Sequence, residues 1–352
     1  MEIEHYWIGI DVGEKNTSIC FLTRQNEIHL SKAPGTNTRE IASVLANVDP
    51  KCIEVIVLEA STGHRLPREL AALGFPIVTV DPRVARKFLS IRAIKSDDND
   101  ARGLAEIAKY GIQSSLCVHV KNVACEQIRM QLTLRDQLIS QRVAVRNALR
   151  SHLRTLGSER TRLPAPTKMR DELQSDLDHM KRAGLGDSVP EILTLLEMVE
   201  AFESCARRLD VRMKKSAESN PVTARFLGIP GVGPVTALSF YSAIENPHRF
   251  SRSTDVGDYL GLVPALRQSG SMSRSGRITR AGNRLTRGHL YMSAGVIISR
   301  SRDATALRDW AKSLQERIGF GKARIALARK LAVVMLTIWK AEANFKAYPQ
   351  DK

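Results

Sequence analysis

The chain has 352 residues, 43% hydrophobic and 26% charged, enough for two domains that each bury a core and ordinary for a soluble globular protein. Its formal net charge is +16, and the excess is uneven: residues 1–215 hold 32 Lys/Arg against 28 Asp/Glu, whereas 216–352 hold 21 against 9, so +12 of it lies C-terminal and calls for a polyanion such as a DNA or RNA backbone. Cys20, Cys52, Cys117, Cys125 and Cys205 are scattered without a CxxC pair, which argues against a zinc site and a disulfide scaffold. The opening MEIEHYWIGID lacks a signal-peptide profile, and charges interrupt every apolar run short of ~18 residues; a cytoplasmic protein is expected.

In chain order, YWIGIDV (6–12) and TSICFLT (17–23) are β-rich runs around the turn-forming GEKN and predict a hairpin. VIVLEAS (55–61) and PIVTVD (76–81) read as strands buried on both faces, and Arg65 to Leu73 as a helix ending at Gly74. This alternation predicts an α/β layer domain over roughly 1–115. A helical region follows over 116–215, in which Ile128, Leu132, Leu138, Val145, Leu149 and Leu156 share a face. After a break at 164–190, Ile192, Leu195, Val199, Phe202, Ala206, Leu209 and Met213 form a heptad seam. The two helices are expected to pair either as an intramolecular hairpin or with another subunit. The remainder, 216–352, is expected to be mostly helical, with a Gly/Ser/Arg-rich ordered loop at 267–287.

Four acids stand at positions that carry chemistry. Asp11 and Glu59 close their strands, where an α/β sheet presents ligand-binding side chains. Asp97 and Asp100, three apart at a helix start in KSDDNDARGLAEIAK, face the same side, with Asp98 a solvated neighbour. Four converging carboxylates repel unless neutralised, and Mg²⁺, a hard cation, is the natural neutraliser; two such ions about 4 Å apart can clamp the attacking and leaving oxygens of a phosphodiester. The string IGIDVGEKNTS also resembles the first phosphate loop of actin-like sugar kinases and chaperone ATPases. Their second Asp-x-Gly loop and Gly-Gly adenosine motif are not found at suitable positions.

FLGIPGVGPVTALSFYSAI (226–244) places Gly231 and Gly233 between two short helical segments. Glycines permit the positive φ that exposes backbone N–H groups to a phosphate, the helix-hairpin-helix pattern of a DNA-backbone clamp. The stretch 259–294 carries Arg267, Arg274, Arg277, Arg280, Arg284 and Arg287 without an acid, interleaved with Ser269, Ser271, Ser273 and Ser275. Arginines grip phosphates bidentately. No histidine stands beside these serines as a general base, so a protease-like triad is unsupported. Beside a metal-bound phosphate, a serine hydroxyl could attack phosphorus directly.

The order D…E…DxxD resembles the ribonuclease-H-like fold of Holliday-junction resolvases and many transposases. Joined to IPGVGP, YLGLVP, QSG and GRITRAGN, it resembles the Piv/MooV-like DEDD transposases, the bridge-RNA-guided insertion-sequence recombinases, over essentially the whole chain. The resemblance implies a ribonuclease-H/RuvC-like catalytic domain, a coiled-coil connection and a transposase domain with a nucleophilic serine. It also implies donor and target DNA, a non-coding bridge RNA, and homo-oligomers (a dimer, and a tetramer in the synaptic complex) in a bacterial cytoplasm. Asp11, Glu59, Asp97 and Asp100 match the metal-binding acids. Ser269 matches the serine that joins DNA covalently; many members have SSGG where this chain has QSGS, and Ser271 stands two residues away with the same chemistry. The alternatives are a Piv-like site-specific invertase, a hydrolytic resolvase that needs no serine, and a non-enzymatic nucleic-acid-binding regulator.

Overall fold

The computed structural model describes residues 4–60, 65–90, 96–111, 117–269, 272–301 and 303–348, with backbone alone at 266–269 and 272–275. The chain divides into two compact units, Met1–Asn122 and Val123–Lys352. The helical region expected at 116–215 thus falls, from Val123 on, in the same unit as the C-terminal part.

Unit 1 is a six-stranded sheet between helices. Its elements are β1 (Tyr6–Val12), β2 (Thr17–Thr23), β3 (Ile28–Ala33), α1 (Thr38–Leu45), β4 (Ile53–Glu59), α2 (Arg65–Ala72), β5 (Ile77–Val80), α3 (Pro82–Leu89), α4 (Asp97–Glu106) and β6 (Cys117–Val118). The strand order is β3-β2-β1-β4-β5-β6. The expected hairpin is present as antiparallel β1–β2, while β1–β4 and β4–β5 are parallel. Strand β3 and helices α1 and α3 go beyond the expected elements. The local signals are short: Asn37 caps α1 by accepting from the Glu40 N–H, and Asp81 caps α3 ahead of Pro82. Alternation along β1 sends Ile8 and Ile10 into a core with Ile41 and Leu45 of α1 and Leu66 and Leu70 of α2. The opposite sheet face packs Val57 and Val80 against Leu104 of α4 and Ala85 of α3. Helix α4 runs on into a π-helical turn, Ile107–Gly111, in which Lys109 Nζ donates to the carbonyls of Thr23 (2.7 Å) and Arg24 (2.8 Å) and pins the helix to the end of β2.

Unit 2 contains α5 (Val123–Thr155), α6 (Met169–Arg182), α7 (Val189–Ser219), α8 (Pro221–Leu227), α9 (Pro234–Ile244), α10 (Val256–Tyr259), β7 (Pro264–Ser269), β8 (Met272–Ile278), α11 (Arg284–Ser299), α12 (Ala306–Ile318) and α13 (Phe320–Lys340). Helices α5 and α7 are the two long helices, and they pair antiparallel within one chain. Arg135 pairs with Asp210; seven residues on, Arg142 pairs with Glu203, seven residues back. Apolar contacts repeat that register: Leu132 clusters with Met213 and Leu238, and Leu149 and Leu153 with Leu173, Leu177, Leu196 and Val199. The seam differs in detail from the expected one. Leu196, not Leu195, is buried, Phe202 is half-buried, and Leu156 lies beyond the end of α5. The 267–287 segment is not one loop; β7 and β8 pair as an antiparallel hairpin and α11 begins at Arg284. The strands PALRQS and MSRSGRI hold few β-branched or aromatic residues and so carry little β propensity; backbone pairing rather than side-chain pattern defines them. Among the described residues no helix is long and apolar enough to cross a membrane.

Because Val199 is fully buried against α5 and α6, Val199→Lys places a charge in an apolar seam, a cost of several kcal/mol. Urea unfolding is expected to show that loss, with the particle mass by light scattering unchanged from wild type. A smaller particle would assign the seam to a subunit interface.

Candidate catalytic and nucleic-acid-binding sites

The acidic edge of unit 1 follows from backbone register. Ile10 and Leu58 are partners in the parallel β1–β4 pair, so Asp11 and Glu59, one residue on, lie side by side roughly 4.8 Å apart; Glu59 ends β4, whereas Asp11, expected to close β1, is its penultimate residue, ahead of Val12. Both alternate away from the Ile10/Leu58 core onto the face that α4 covers. Helix α4 can lie there because position 9 is glycine: a Cβ on Gly9 would stand 2.1 Å from the Ala101 carbonyl oxygen and 2.2 Å from the Ala105 nitrogen. Asp97 is one turn before Ala101 on the same helix face, and Asp100 one turn before Leu104, which packs with Val57 of β4. Thus Asp97 comes over the end of β1 and Asp100 toward the end of β4. Consistent with this, a Cβ on Gly13, just past β1, would lie 3.9 Å from Asp97 Oδ2. Ser96 caps the helix by accepting from the Asn99 N–H, which leaves the acids of the first turn free of capping duty.

All four acids are thereby brought to one end of the sheet. Their side chains are not drawn into a closed set, since among the described residues no three His, Cys, Asp or Glu groups are close enough to hold a metal ion. Asp98, expected to be solvated, is instead engaged: its Oδ1 accepts from Ser18 Oγ at 2.8 Å and lies 3.4 Å from Lys32 Nζ, tying α4 to β2 and β3.

In unit 2 the two glycines between α8 and α9 differ. Gly231 has φ +86° and a Cβ there would meet Ile297 Cγ1 of α11 at 2.6 Å, so conformation and packing both require glycine. Gly233 is extended at φ −96°, with open space where a Cβ would be; it serves as the N-cap of α9, not as a left-handed turn. The β7–β8 hairpin brings Arg267 and Arg274 into direct register and ends β7 at Ser269, opposite Met272. The side chains of Arg267, Ser269 and Arg274, and all of Ser271, lie outside the described residues.

Arg277 near the end of β8, and Arg280 and Arg284 beyond the hairpin, are exposed. Arg280 adopts φ +58°, a backbone state that costs a non-glycine residue about 1–3 kcal/mol. What holds it is a lock absent from the sequence reading. A Cβ on Gly261 would sit 2.3 Å from the Ala281 nitrogen, and one on Gly282 2.1 Å from the Tyr259 carbonyl oxygen, so the two chain segments lie backbone on backbone. Arg287 closes the lock by donating through Nη1 to the carbonyls of Leu260 (3.0 Å) and Ala281 (2.6 Å). Burial, reinforced by the Arg280 and Arg284 charges, pulls its guanidinium below the usual arginine range. The signal for this lock was the glycine in YLGL and in RAGN, which the sequence reading passed over.

Comparison with known proteins places both sites in matched regions. Residues 8–157 match a transposase domain of the DEDD type found in IS110 elements, and residues 223–309 match the domain described as Transposase IS116/IS110/IS902 family. The chain is 26% identical to the transposase for insertion sequence element IS1111A of Coxiella burnetii, over 96% of this chain and 91% of that protein. It is 25% identical to the transposase for insertion sequence element IS1328 of Yersinia enterocolitica, over 92% and 94%. A probable family 20 transposase of Pseudomonas aeruginosa is 24% identical over 84% and 86%.

The contrast between neighbouring arginines is measurable. Arg287→Ala removes two charge-assisted hydrogen bonds to otherwise enclosed carbonyls and should cost about 1–3 kcal/mol in chemical denaturation. Arg284→Ala, on the exposed side of the same helix, should leave stability within about 0.5 kcal/mol of wild type.

Proposed function

The chain belongs to the insertion-sequence transposases of the IS110/IS116 type, and from that premise we propose that it cuts and rejoins DNA strands, with Asp11, Glu59, Asp97 and Asp100 as the metal-holding acids and Ser269 as the nucleophile. The observation that carries the reading is the acidic edge: register puts Asp11 beside Glu59, and Gly9 lets α4 bring Asp97 and Asp100 over the same strand ends. A sheet of mixed direction flanked by helices, with acids at its carboxyl edge, supports a ribonuclease-H/RuvC-like catalytic domain over about 1–115.

The donor set is entirely carboxylate oxygen, which fits a hard divalent cation such as Mg²⁺ and not a soft metal. When bound, the cation would neutralise the scissile phosphate and lower the barrier to attack on phosphorus. Asp11, Glu59, Asp97 and Asp100 would hold it and fix its position. The Ser269 hydroxyl gives up its proton and its Oγ bonds to phosphorus; a bridging P–O bond breaks and that strand oxygen leaves as a hydroxyl. A strand hydroxyl then attacks the phosphoserine ester, reforms the phosphodiester and returns the serine, so rejoining needs no nucleotide cofactor.

Exposed Arg277, Arg280 and Arg284, with Arg267 and Arg274 in register on the hairpin, are assigned to the DNA phosphates; Arg287 sits among them and steadies the lock. The Gly231–Gly233 turn between α8 and α9 is assigned to a helix-hairpin-helix backbone contact. The 116–215 helices are read as a coiled-coil connection and 216–352 as the transposase domain. The same proposal includes a guide RNA that pairs with donor and target DNA, and action as a dimer or tetramer in the bacterial cytoplasm at the nucleoid.

Asp11→Asn or Asp100→Asn is expected to lower strand exchange on a plasmid by orders of magnitude while DNA binding persists, because the metal loses a charged ligand and the phosphate contacts lie elsewhere. Full recombination by either variant would remove the metal assignment.

The serine has its own test. Wild-type protein quenched in denaturant during reaction should carry DNA bonded to a peptide containing Ser269, and Ser269→Ala should bind DNA yet leave it uncut. An adduct on Ser271 would move the nucleophile by two residues. No adduct, with near-normal cleavage by the alanine variant, would favour hydrolysis as in a resolvase, and binding without cleavage by wild type would favour a regulator. Whether joined products are inversions or insertions separates an invertase from a transposase.

A further inference from the structure

Helix α11 buries Thr286, Leu290, Ser293, Ala294, Ile297 and Ile298 and turns a different face to solvent. Along that outer face Arg284, Gly288 and Met292 follow at four-residue intervals, all exposed, Met292 to 61%. The guanidinium of Arg324, from α13, flanks the same face. It lies 3.7 Å over the Tyr291 ring, donates to the Tyr291 carbonyl at 2.7 Å and reaches Met292 Sδ at 3.1 Å.

Two glycines occupy this face, and only one has an internal reason. At Gly295 a Cβ would stand 2.6 Å from Arg324 Nε, so the arginine needs glycine beneath it. At Gly288 a Cβ would meet nothing within 4 Å among the described residues. Its φ is not in the left-handed region, and it sits well inside a 16-residue helix, where glycine is the least favourable residue after proline. Among the described residues neither packing nor conformation accounts for it. A glycine of this kind fits a helix surface that something outside the chain approaches to backbone distance.

The charge on the page identifies the occupant. Residues 259–302 hold eight arginines, no lysine and no acid. Among the described residues, no carboxylate lies within salt-bridge distance of Arg277, Arg280, Arg284 or Arg324. The face is also continuous in sequence with the β7–β8 hairpin and with the strained Arg280 turn.

We propose that the outer face of α11, with Gly288 between Arg284 and Met292 and with Arg324 alongside, is a docking surface for the sugar-phosphate backbone of duplex DNA, which packs against the helix at Gly288. This rests on the reading of the chain as a DNA-cutting transposase. Arg284 and Arg324 supply the charge, and the missing side chain at 288 lets a sugar edge approach the helix backbone, where its bulk would otherwise hold the phosphates out of arginine reach.

The test uses the full-length protein, a short fluorescein-labelled DNA duplex and fluorescence anisotropy, beside thermal unfolding. Gly288→Ala should raise Tm by about 2–4 °C, as an exposed helical glycine replaced by alanine does, yet weaken duplex binding. Gly288→Gln should weaken binding about tenfold, and Arg284→Gln should flatten the dependence of log Kd on log salt by about one contact. Opposite signs for stability and binding at one position cannot arise from a folding defect. If Gly288→Gln binds duplex as wild type does, the docking surface is refuted while the transposase reading stands. Failure of the wild type to bind any DNA removes that reading itself. Lost binding to a single-stranded RNA probe with duplex binding intact, or a changed particle mass in light scattering, would assign the face to RNA or to a second copy and overturn the proposal.

Discussion

The approach of α4 to β1 at Gly9 is the contact on which the acidic edge depends. With any side chain at position 9, the Ala101 and Ala105 backbone could not lie on the strand, and the helix would have to lift away from the sheet. Helix–sheet packing usually leaves room for side chains between the layers; here the helix backbone rests on the strand backbone. The consequence is geometric. Two residues along β1 lead from Gly9 to Asp11, one helical turn back from Ala101 leads to Asp97, and both steps end at the same edge. Ser18 to Asp98 and Lys109 to the end of β2 tie the two ends of the helix, so its rotation and its slide along the strand are both restrained.

Electrostatics explains why such an arrangement needs that restraint. The positive end of α4 favours acids in its first turn by about 0.3–1 kcal/mol each. Two like charges about 4 Å apart, at an effective dielectric of about 20, repel by about 4 kcal/mol. Repulsion therefore outweighs the dipole, and carboxylates carried on freely moving elements would part. Fixed backbone keeps them at one edge, as neighbours in register that form no closed ligand set among the described residues.

Much of this was legible in the sequence because it rests on local rules. The β1–β2 hairpin, Glu59 at the end of its strand and Asp11 one residue short of the end of its own, and the helix start at Asp97 all follow from alternation, turn chemistry and capping. What escaped depended on contacts between distant segments. Leu196 is fully buried in the helical core and Leu195 only half-buried, in a register marked by Arg135–Asp210 and Arg142–Glu203, pairs whose members lie 75 and 61 residues apart in sequence. Asp98 looked like surface because Ser18 is distant in sequence. Gly231 and Gly233 are alike as sequence, and it is the left-handed backbone at Gly231 and the proximity of Ile297 to it that separate their roles. The hairpin at 264–278 is hidden by its composition: PALRQS and MSRSGRI lack the β-branched and aromatic alternation that announces a strand.

The distribution of charge adds a constraint on where affinity must come from. The acids proposed to hold the metal repel a phosphate, and residues 1–215 as a whole carry only +4. Affinity for a polyanion has to be supplied by the +12 of residues 216–352, densest in the acid-free run from Tyr259 to Arg302. Screening makes that separation workable: at physiological salt the Debye length is about 8 Å, so each group of charges acts on whatever lies against it and little further. The lock of Gly261, Gly282 and Arg287 then takes on a specific meaning. It keeps Arg280 in a backbone state that the residue would not adopt alone, next to Arg277 and Arg284, and so holds like charges together at a fixed place on the surface. Guanidinium groups held close to one another repel in the free protein, and a phosphate against them offsets that repulsion, so the backbone strain that the lock sustains at Arg280 serves to hold a set of charges that a polyanion favours.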